Sequence, residues 1–246
     1  MKTKLHFARF EFKYILPQQL REDVESELQY FLELDPYVQS RADHKYFVRS
    51  LYYEDPHFTS FHDKQDGIHT RSKFRVRTYT NELDEETPCF LELKGRYNNL
   101  VFKHRVLINC SIEDKKLSRS AFTDVVVAKA EDAPVRDQFL YSIYRKRIRP
   151  IALVDYRRRP YVSKYDAEFR LTFDEYLHAT ESASLFPSKG ETARHMLPGY
   201  TVMEVKFRYQ IPSWFHRIIQ AFELRRVSIS KICEAVETLG LAENLS

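Results

Sequence analysis

Reading every second residue between Phe90 and Val106 separates charge from hydrocarbon. Glu92 and Lys94 fall on one side and Leu91 and Leu93 on the other; beyond a turn placed at Gly95 to Asn99, Lys103 and Arg105 alternate with Phe102, His104 and Val106. Successive strand residues point to opposite faces, so this is a hairpin with one charged row and one largely apolar row. The same period recurs in Arg9, Glu11 and Lys13 against Phe10, Phe12 and Tyr14, and in Lys73, Arg75 and Arg77 against Phe74 and Val76. It returns in Glu168, Arg170, Thr172 and Asp174 against Phe169, Leu171 and Phe173, in Glu204, Lys206 and Arg208 against Val205, Phe207 and Tyr209, and more weakly at Tyr156 and Arg158. One such strand is explained by a sheet with a wet face. The repeated arginine-rich rows with single glutamates predict instead an interior lined by cations.

Helical spacing appears between these strands. After Pro17, Leu20, Val24, Leu28, Phe31 and Leu32 predict a helix that stops at Asp35-Pro36. Phe47 to Tyr53 reads as an aromatic strand, and His57 to Gly67 as a turn-like segment whose histidines, five apart, suit packing better than a metal. Leu117 to Ala130 and Val135 to Ile148 read as helices parted by Pro134; the basic end of the second, Arg145 to Arg149, reads as dipole complement and solubility. Strands are expected at Ile151 to Arg158, Tyr161 to Lys164, Glu168 to Asp174 and Tyr200 to Arg208, a loop from Thr180 to Pro198, and two closing helices after Pro212 and Ser230. At least eight strands with helices in blocks predict an α+β fold, an eight-stranded antiparallel tunnel barrel with flanking helices.

Composition narrows the chemistry. With 246 residues, 43% of them hydrophobic, the chain can bury a full core, and it is expected to form a single domain over 1–246. The longest aliphatic run, Val125 to Ala128, is far below the roughly 20 residues that span a bilayer, so a cytoplasmic protein is expected. Cys89, Cys110 and Cys233 are odd in number and far apart, which fits reduced thiols. Net charge is only +4, but acids gather in Arg21 to Glu33 and Asn81 to Glu86 while the strand rows are basic, a segregation that suits an anionic ligand better than a nucleic-acid footprint. The aromatics lie mostly on the apolar side, where they cannot stack on bases. No glycine-rich phosphate loop is present, so any phosphate site must be built from side chains.

Arg75, Arg77, Lys94, Lys103, Arg105, Arg158, Arg170 and Lys206 facing one interior require a polyanion, because like charges repel strongly when desolvated. A triphosphate or longer phosphate chain fits, with arginine forks on the oxygens and lysines as point charges. Glu204 and Glu11 are candidates to hold Mg²⁺ or Mn²⁺; Glu11, Glu92 and Glu168 read equally well as ion-pair partners inside the rows.

Taken in order, Arg9 to Tyr14, Ser50-Leu51-Tyr52-Tyr53, Lys73 to Arg77, Glu92-Leu93-Lys94, Tyr156-Arg157-Arg158, Arg170 to Asp174, Glu204-Val205-Lys206 and Ser230-Lys231 resemble the polyphosphate polymerase (VTC) domain of the triphosphate tunnel metalloenzyme, or CYTH-like, superfamily. The resemblance implies a tunnel in which the γ-phosphate of ATP passes to a growing polyphosphate chain, with a divalent metal on Glu204. It implies phosphate contacts from Lys13, Arg75, Arg77, Lys94, Lys103, Arg158 and Arg170, a hydroxyl from Tyr156, and a Ser230-Lys231 pair at a helical wall. Arg9 stands where the tunnel phosphatases carry the first acid of their N-terminal motif, which favours transfer over hydrolysis. The alternatives are a triphosphatase acting on inorganic or nucleoside triphosphate and a non-catalytic module binding polyphosphate or inositol phosphates.

Overall fold

The computed structural model describes residues 10–98, 100–187 and 190–242; Arg9, the displaced acid position, lies outside them. Within it, β1 (Phe10–Pro17), β3 (Tyr46–Glu54), β4 (Thr70–Thr78), β5 (Cys89–Tyr97), β6 (Leu100–Ile108), β7 (Arg149–Ser163), β8 (Arg170–Glu181) and β10 (Tyr200–Phe207) form an eight-strand path in the order β1-β10-β8-β7-β3-β4-β5-β6. β2 (Leu32–Leu34) joins β7 and β9 (Arg194–His195) joins β8 off this path. The α+β class and the eight antiparallel main strands are as expected. The ladder itself is open, since β6 is not paired back to β1 among the described residues.

The chain divides into two compact units. The first comprises Met1–Tyr46, Tyr156–Leu177 and Leu197–Ile229. Its core is the apolar row of β1, β8 and β10 (Tyr14, Leu16, Leu171, Phe173, Met203, Val205) closed by Val24 and Leu28 of α1 (Gln18–Leu28) and by Trp214, Phe215 and Ile218 of α7 (Ser213–Ala221). The second comprises Phe47–Asp155, His178–Met196 and Ser230–Ser246. There Leu51, Phe74, Val76, Leu91, Leu93 and Val106 pack on Phe122 and Val126 of α5 (Arg119–Lys129) and Phe139 of α6 (Ala133–Lys146). Each of these buried side chains contributes about 2 kcal/mol of hydrophobic stabilisation, so each apolar row is fixed inward and its charged counterpart is fixed on the other face. A one-residue slip would exchange the two rows.

Five local expectations change. Helix α1 ends at Leu28, and Leu32 to Leu34 pair with Tyr161 to Ser163, because a ladder partner outweighs the helical spacing that continued to Leu32. Gly95 is not in the turn but inside β5, opposite Phe102, whose ring would stand 1.9 Å from a β-carbon built there; the turn falls at Asn98, with φ 53°. β7 runs unbroken through Pro160, whose carbonyl accepts from the Asp35 amide at 3.1 Å. The segment after Asp55 forms the short helix α3 (Thr59–Gln65), and the expected loop from Thr180 is shortened by β8 and β9. Two further short helices, α2 (Pro36–Gln39) and α4 (Ile112–Lys116), and the closing α8 (Lys231–Leu239) complete the fold.

Candidate functional site

In the second unit, register places the charged residues of four strands on one face. Tyr52 lies opposite Arg75 and Ser50 opposite Arg77; Arg75 then faces Glu92, and Glu92 faces Arg105; Lys73, Lys94 and Lys103 form a parallel row of their own. All five cations proposed from the sequence for these strands are therefore brought together.

Glu92 is their hub. Fully buried, it accepts from Arg75 Nε at 2.8 Å and Nη2 at 2.6 Å, and its oxygens lie 3.9 Å from Arg77 Nη1, 3.5 Å from Lys103 Nζ and 3.3 Å from Arg105 Nε. Burial alone would raise its pKa, but Arg75, Arg77 and Lys103 overcome this and hold the carboxyl well below the ordinary carboxylate range. Arg75 is held from its other end by Tyr52, whose hydroxyl accepts from Nη1 at 2.8 Å, and Arg77 donates from Nε to Ser50 Oγ at 3.0 Å. Arg105 donates to the Tyr79 hydroxyl at 2.7 Å and stacks over Phe90, 3.5 Å from the ring centre.

The excess of positive charge acts on the proton affinities of its neighbours. Burial pushes the Tyr52 phenol up, yet Arg75, Arg77 and Lys73 outweigh it and bring the group down to about 8. Lys103 is lowered to about 8 by burial and by its cationic neighbours Arg105, Arg75 and Arg77, against the pull of Glu92. Ser230, the N-terminal cap position of α8, receives a 2.8 Å hydrogen bond from Lys73 Nζ, and Lys231 beside it is buried. The Ser-Lys pair implied by the resemblance thus belongs to this cluster through Ser230.

The first unit carries a second charged face on β1, β10, β8 and β7. Glu11 lies opposite Lys206 and Lys13 opposite Glu204; Glu204 continues to Thr172 and Lys206 to Arg170. Lys13 pairs with Glu11 at 3.0 Å and donates to the Ile229 carbonyl at 3.1 Å, while Lys206 pairs with Glu204 at 2.5 Å. Arg158 directs Nε and Nη2 onto the two oxygens of buried Asp174 at 2.6 and 2.8 Å, a bidentate pair. Burial opposes that charge, but Asp174 more than offsets it and raises the Arg158 pKa. Tyr156 is buried, with the Arg158 guanidinium 5.3 Å from its ring centre, and Arg170 is exposed.

A divalent cation is implied for Glu204 and Glu11. Among the described residues no group of three or more His, Cys, Asp or Glu side chains is placed to hold a metal. Magnesium-type sites, however, use only one or two carboxylates and complete their shell with phosphate and water. Glu11 and Glu204 are diagonal neighbours across the β1–β10 ladder, and the buried hydroxyl of Thr172, opposite Glu204, has no hydrogen-bond partner among the described residues. This all-oxygen set fits one hard cation.

Several participants were given no role at the site from the sequence. Tyr52 and Ser50 share the parity of the charged rows, and that parity was the signal for them. Asp174 was placed in a row but not as the counter-ion of Arg158, because β7–β8 register cannot be read from either strand alone. Glu168 precedes β8, which begins at Arg170, and so leaves the row assigned to it.

A family model for the VTC domain matches residues 8–240. The chain belongs to the VTC domain family. Its fold is like that of an adenylate cyclase candidate from Bacillus halodurans, 15% identical, which superposes with a TM-score of 0.53 over 91% of this chain and 94% of that one. Structural similarity is lower, with a TM-score of 0.49 at 11% identity over 93% and 95% of the two chains, for an adenylyl cyclase candidate from Hippeastrum described as having a dominant triphosphatase activity. It is 0.47 at 13% identity over 96% and 99% for the PH1819 protein of Pyrococcus horikoshii. A search of curated proteins finds no match. No helix of this VTC domain is long and apolar enough to cross a membrane among the described residues.

Proposed function

We propose that this VTC domain, acting as one domain in the cytoplasm, is an ATP-dependent polyphosphate polymerase that transfers the γ-phosphate of ATP to the end of a growing polyphosphate chain. The observation that carries this reading is the face centred on Glu92, where Lys73, Arg75, Arg77, Lys94, Lys103 and Arg105 surround a single carboxylate. Such a surplus, which brings Tyr52 down to about 8 and adds to the burial that lowers Lys103, is matched by a linear polyanion.

Phosphoryl transfer asks a protein chiefly for alignment and for charge stabilisation of the equatorial oxygens. Arg75 and Arg77 supply both: held by Glu92, Tyr52 and Ser50, their guanidinium groups need no reorganisation when phosphate arrives. Lys94, Lys103 and Arg105 extend the row along the chain, and Lys13, Arg158, Arg170, Lys206, Tyr156 and the Ser230-Lys231 pair are assigned the remaining phosphate contacts. The metal, Mn²⁺ or Mg²⁺, would sit on Glu204 and Glu11 and neutralise charge on phosphate oxygens. The acceptor is the ionised terminal phosphate of the polymer, so no protein nucleophile is required.

Because Lys13 and Lys206 each already pair with one of the two carboxylates, the site has little negative charge left for a second metal, which favours transfer over metal-activated hydrolysis. Incubation of pure protein with ATP and Mn²⁺ tests the proposal. A ladder of polyphosphate on a gel is expected; release of free phosphate alone would make it a triphosphatase, and tight binding without turnover a binding module, either of which overturns polymerase activity.

A further inference from the structure

The three cysteines are far apart in sequence, but two of them meet in the fold. Cys89 opens β5 opposite Ile108, the last residue of β6, and Cys110 follows two residues later, its amide turned back onto the Ile108 carbonyl at 3.0 Å. Both side chains belong to the same core cluster, and their sulfurs are hydrogen-bonded to each other. Cys233 is on α8, and all three thiols are buried.

The two sulfurs are not equivalent. Cys89 has no exposed surface, whereas Cys110 retains 8%. The hydrogen bond from Cys89 lowers the Cys110 pKa; burial and Asp114 oppose this, and the ammonium groups of Lys129 and Lys115 support it. The same hydrogen bond, followed by burial, raises Cys89. Thiolate character is therefore favoured at Cys110 over Cys89.

We propose that Cys89 and Cys110 form an oxidisable dithiol, which hydrogen peroxide converts within the folded domain to a disulfide that closes the β5–β6 hairpin at its open end. The Cys110 thiolate attacks one peroxide oxygen, the O–O bond breaks, and hydroxide leaves with a Cys110 sulfenic acid remaining. Cys89, already in contact, attacks that sulfur; its thiol proton and one further proton convert the two departing hydroxides to water. Two thiols are oxidised and one peroxide is reduced to two waters. Glu92, Lys94, Lys103 and Arg105 all lie within the loop so closed, so oxidation would tether the two strands that carry half of the cationic face. Peroxide is small enough for a sulfur this enclosed, and the partner thiol is in place to trap the sulfenic acid before further oxidation.

The test exposes the folded full-length chain to hydrogen peroxide, removes the excess with catalase, alkylates in denaturant and maps peptides without reduction. Cys89 and Cys110 should disappear together into one linked peptide, lighter than its two parts by two hydrogens, while Cys233 is still alkylated; dithiothreitol should restore all three. In Cys89→Ser, Cys110 should accumulate as a dimedone-trapped sulfenic acid, and in Cys110→Ser, Cys89 should stay alkylatable. The proposal is overturned if wild-type Cys110 proceeds to sulfinic acid with Cys89 still free, if Cys233 is oxidised as fast as Cys110, or if all three survive a dose that oxidises free cysteine.

Discussion

Replacing Glu92 by Gln removes one negative charge from a site where four cations converge on it. Arg105 and Lys103 are partly exposed, with side-chain exposures of 31% and 45%, and water can screen them once the carboxylate is gone. Arg75 and Arg77, each at 8%, have no such recourse, so the cost is that of stripping the counter-ion from buried charge, about 3 kcal/mol. For a chain of this size that corresponds to a fall in Tm of roughly 10 °C. A polyanion should reverse it, since inorganic tripolyphosphate at about 100 times its Kd contributes about 2.7 kcal/mol.

The pH dependence has a definite sign. Because Glu92 has a depressed folded pKa, its stabilisation is fully present above the ordinary carboxylate value and is lost as pH falls below that value toward the folded one. The gap between wild type and E92Q should therefore be full at pH 7 and close in acid. Melting curves between about pH 7 and about pH 3, on either side of the ordinary carboxylate pKa of about 4.3, with and without tripolyphosphate, measure both effects. Equal melting of the two proteins at neutral pH, or no rise of the E92Q Tm with tripolyphosphate, would refute the view of Glu92 as the counter-ion of an anion-binding face.

Three further outcomes follow from the same geometry. Arg170→Ala, at an exposed position opposite Lys206, should abolish turnover while changing stability by no more than about 0.5 kcal/mol, as ATP turnover and denaturant melts will show. Glu204→Gln should raise the Mn²⁺ concentration needed for half-maximal activity while ATP binding without metal persists; an unchanged metal titration would remove Glu204 from the metal site. Above pH 8, Lys103 loses its charge and Tyr52 gains one, so tripolyphosphate affinity should fall. Over that range the unfolded chain binds more protons than the folded one at both groups, so their contribution to stability should rise. Calorimetric titration across this range should show that fall flattened in Tyr52→Phe.

Alternation was the most legible signal, because a strand buried on one face must repeat every second residue. It identified Arg75, Arg77, Lys94, Lys103 and Arg105 as co-facial before any pairing was known, and the register confirms it. Pairing partners were less legible. The bidentate engagement of Arg158 with Asp174 and the support of Arg75 by Tyr52 depend on which strands adjoin, information that no single strand carries. Gly95 shows the same limit: glycine suggested a turn, whereas the cause is the Phe102 ring across the ladder. Sequence distance likewise hid the meeting of Cys89 and Cys110, which the hairpin brings about by returning on itself.

The most direct test is a crystal structure of the protein with tripolyphosphate and Mn²⁺. Phosphate oxygens on Arg75, Arg77 and Lys103, with the metal on Glu204, are the expected result. Phosphate bound elsewhere, with the Glu92 face contacting only solvent, would contradict the account.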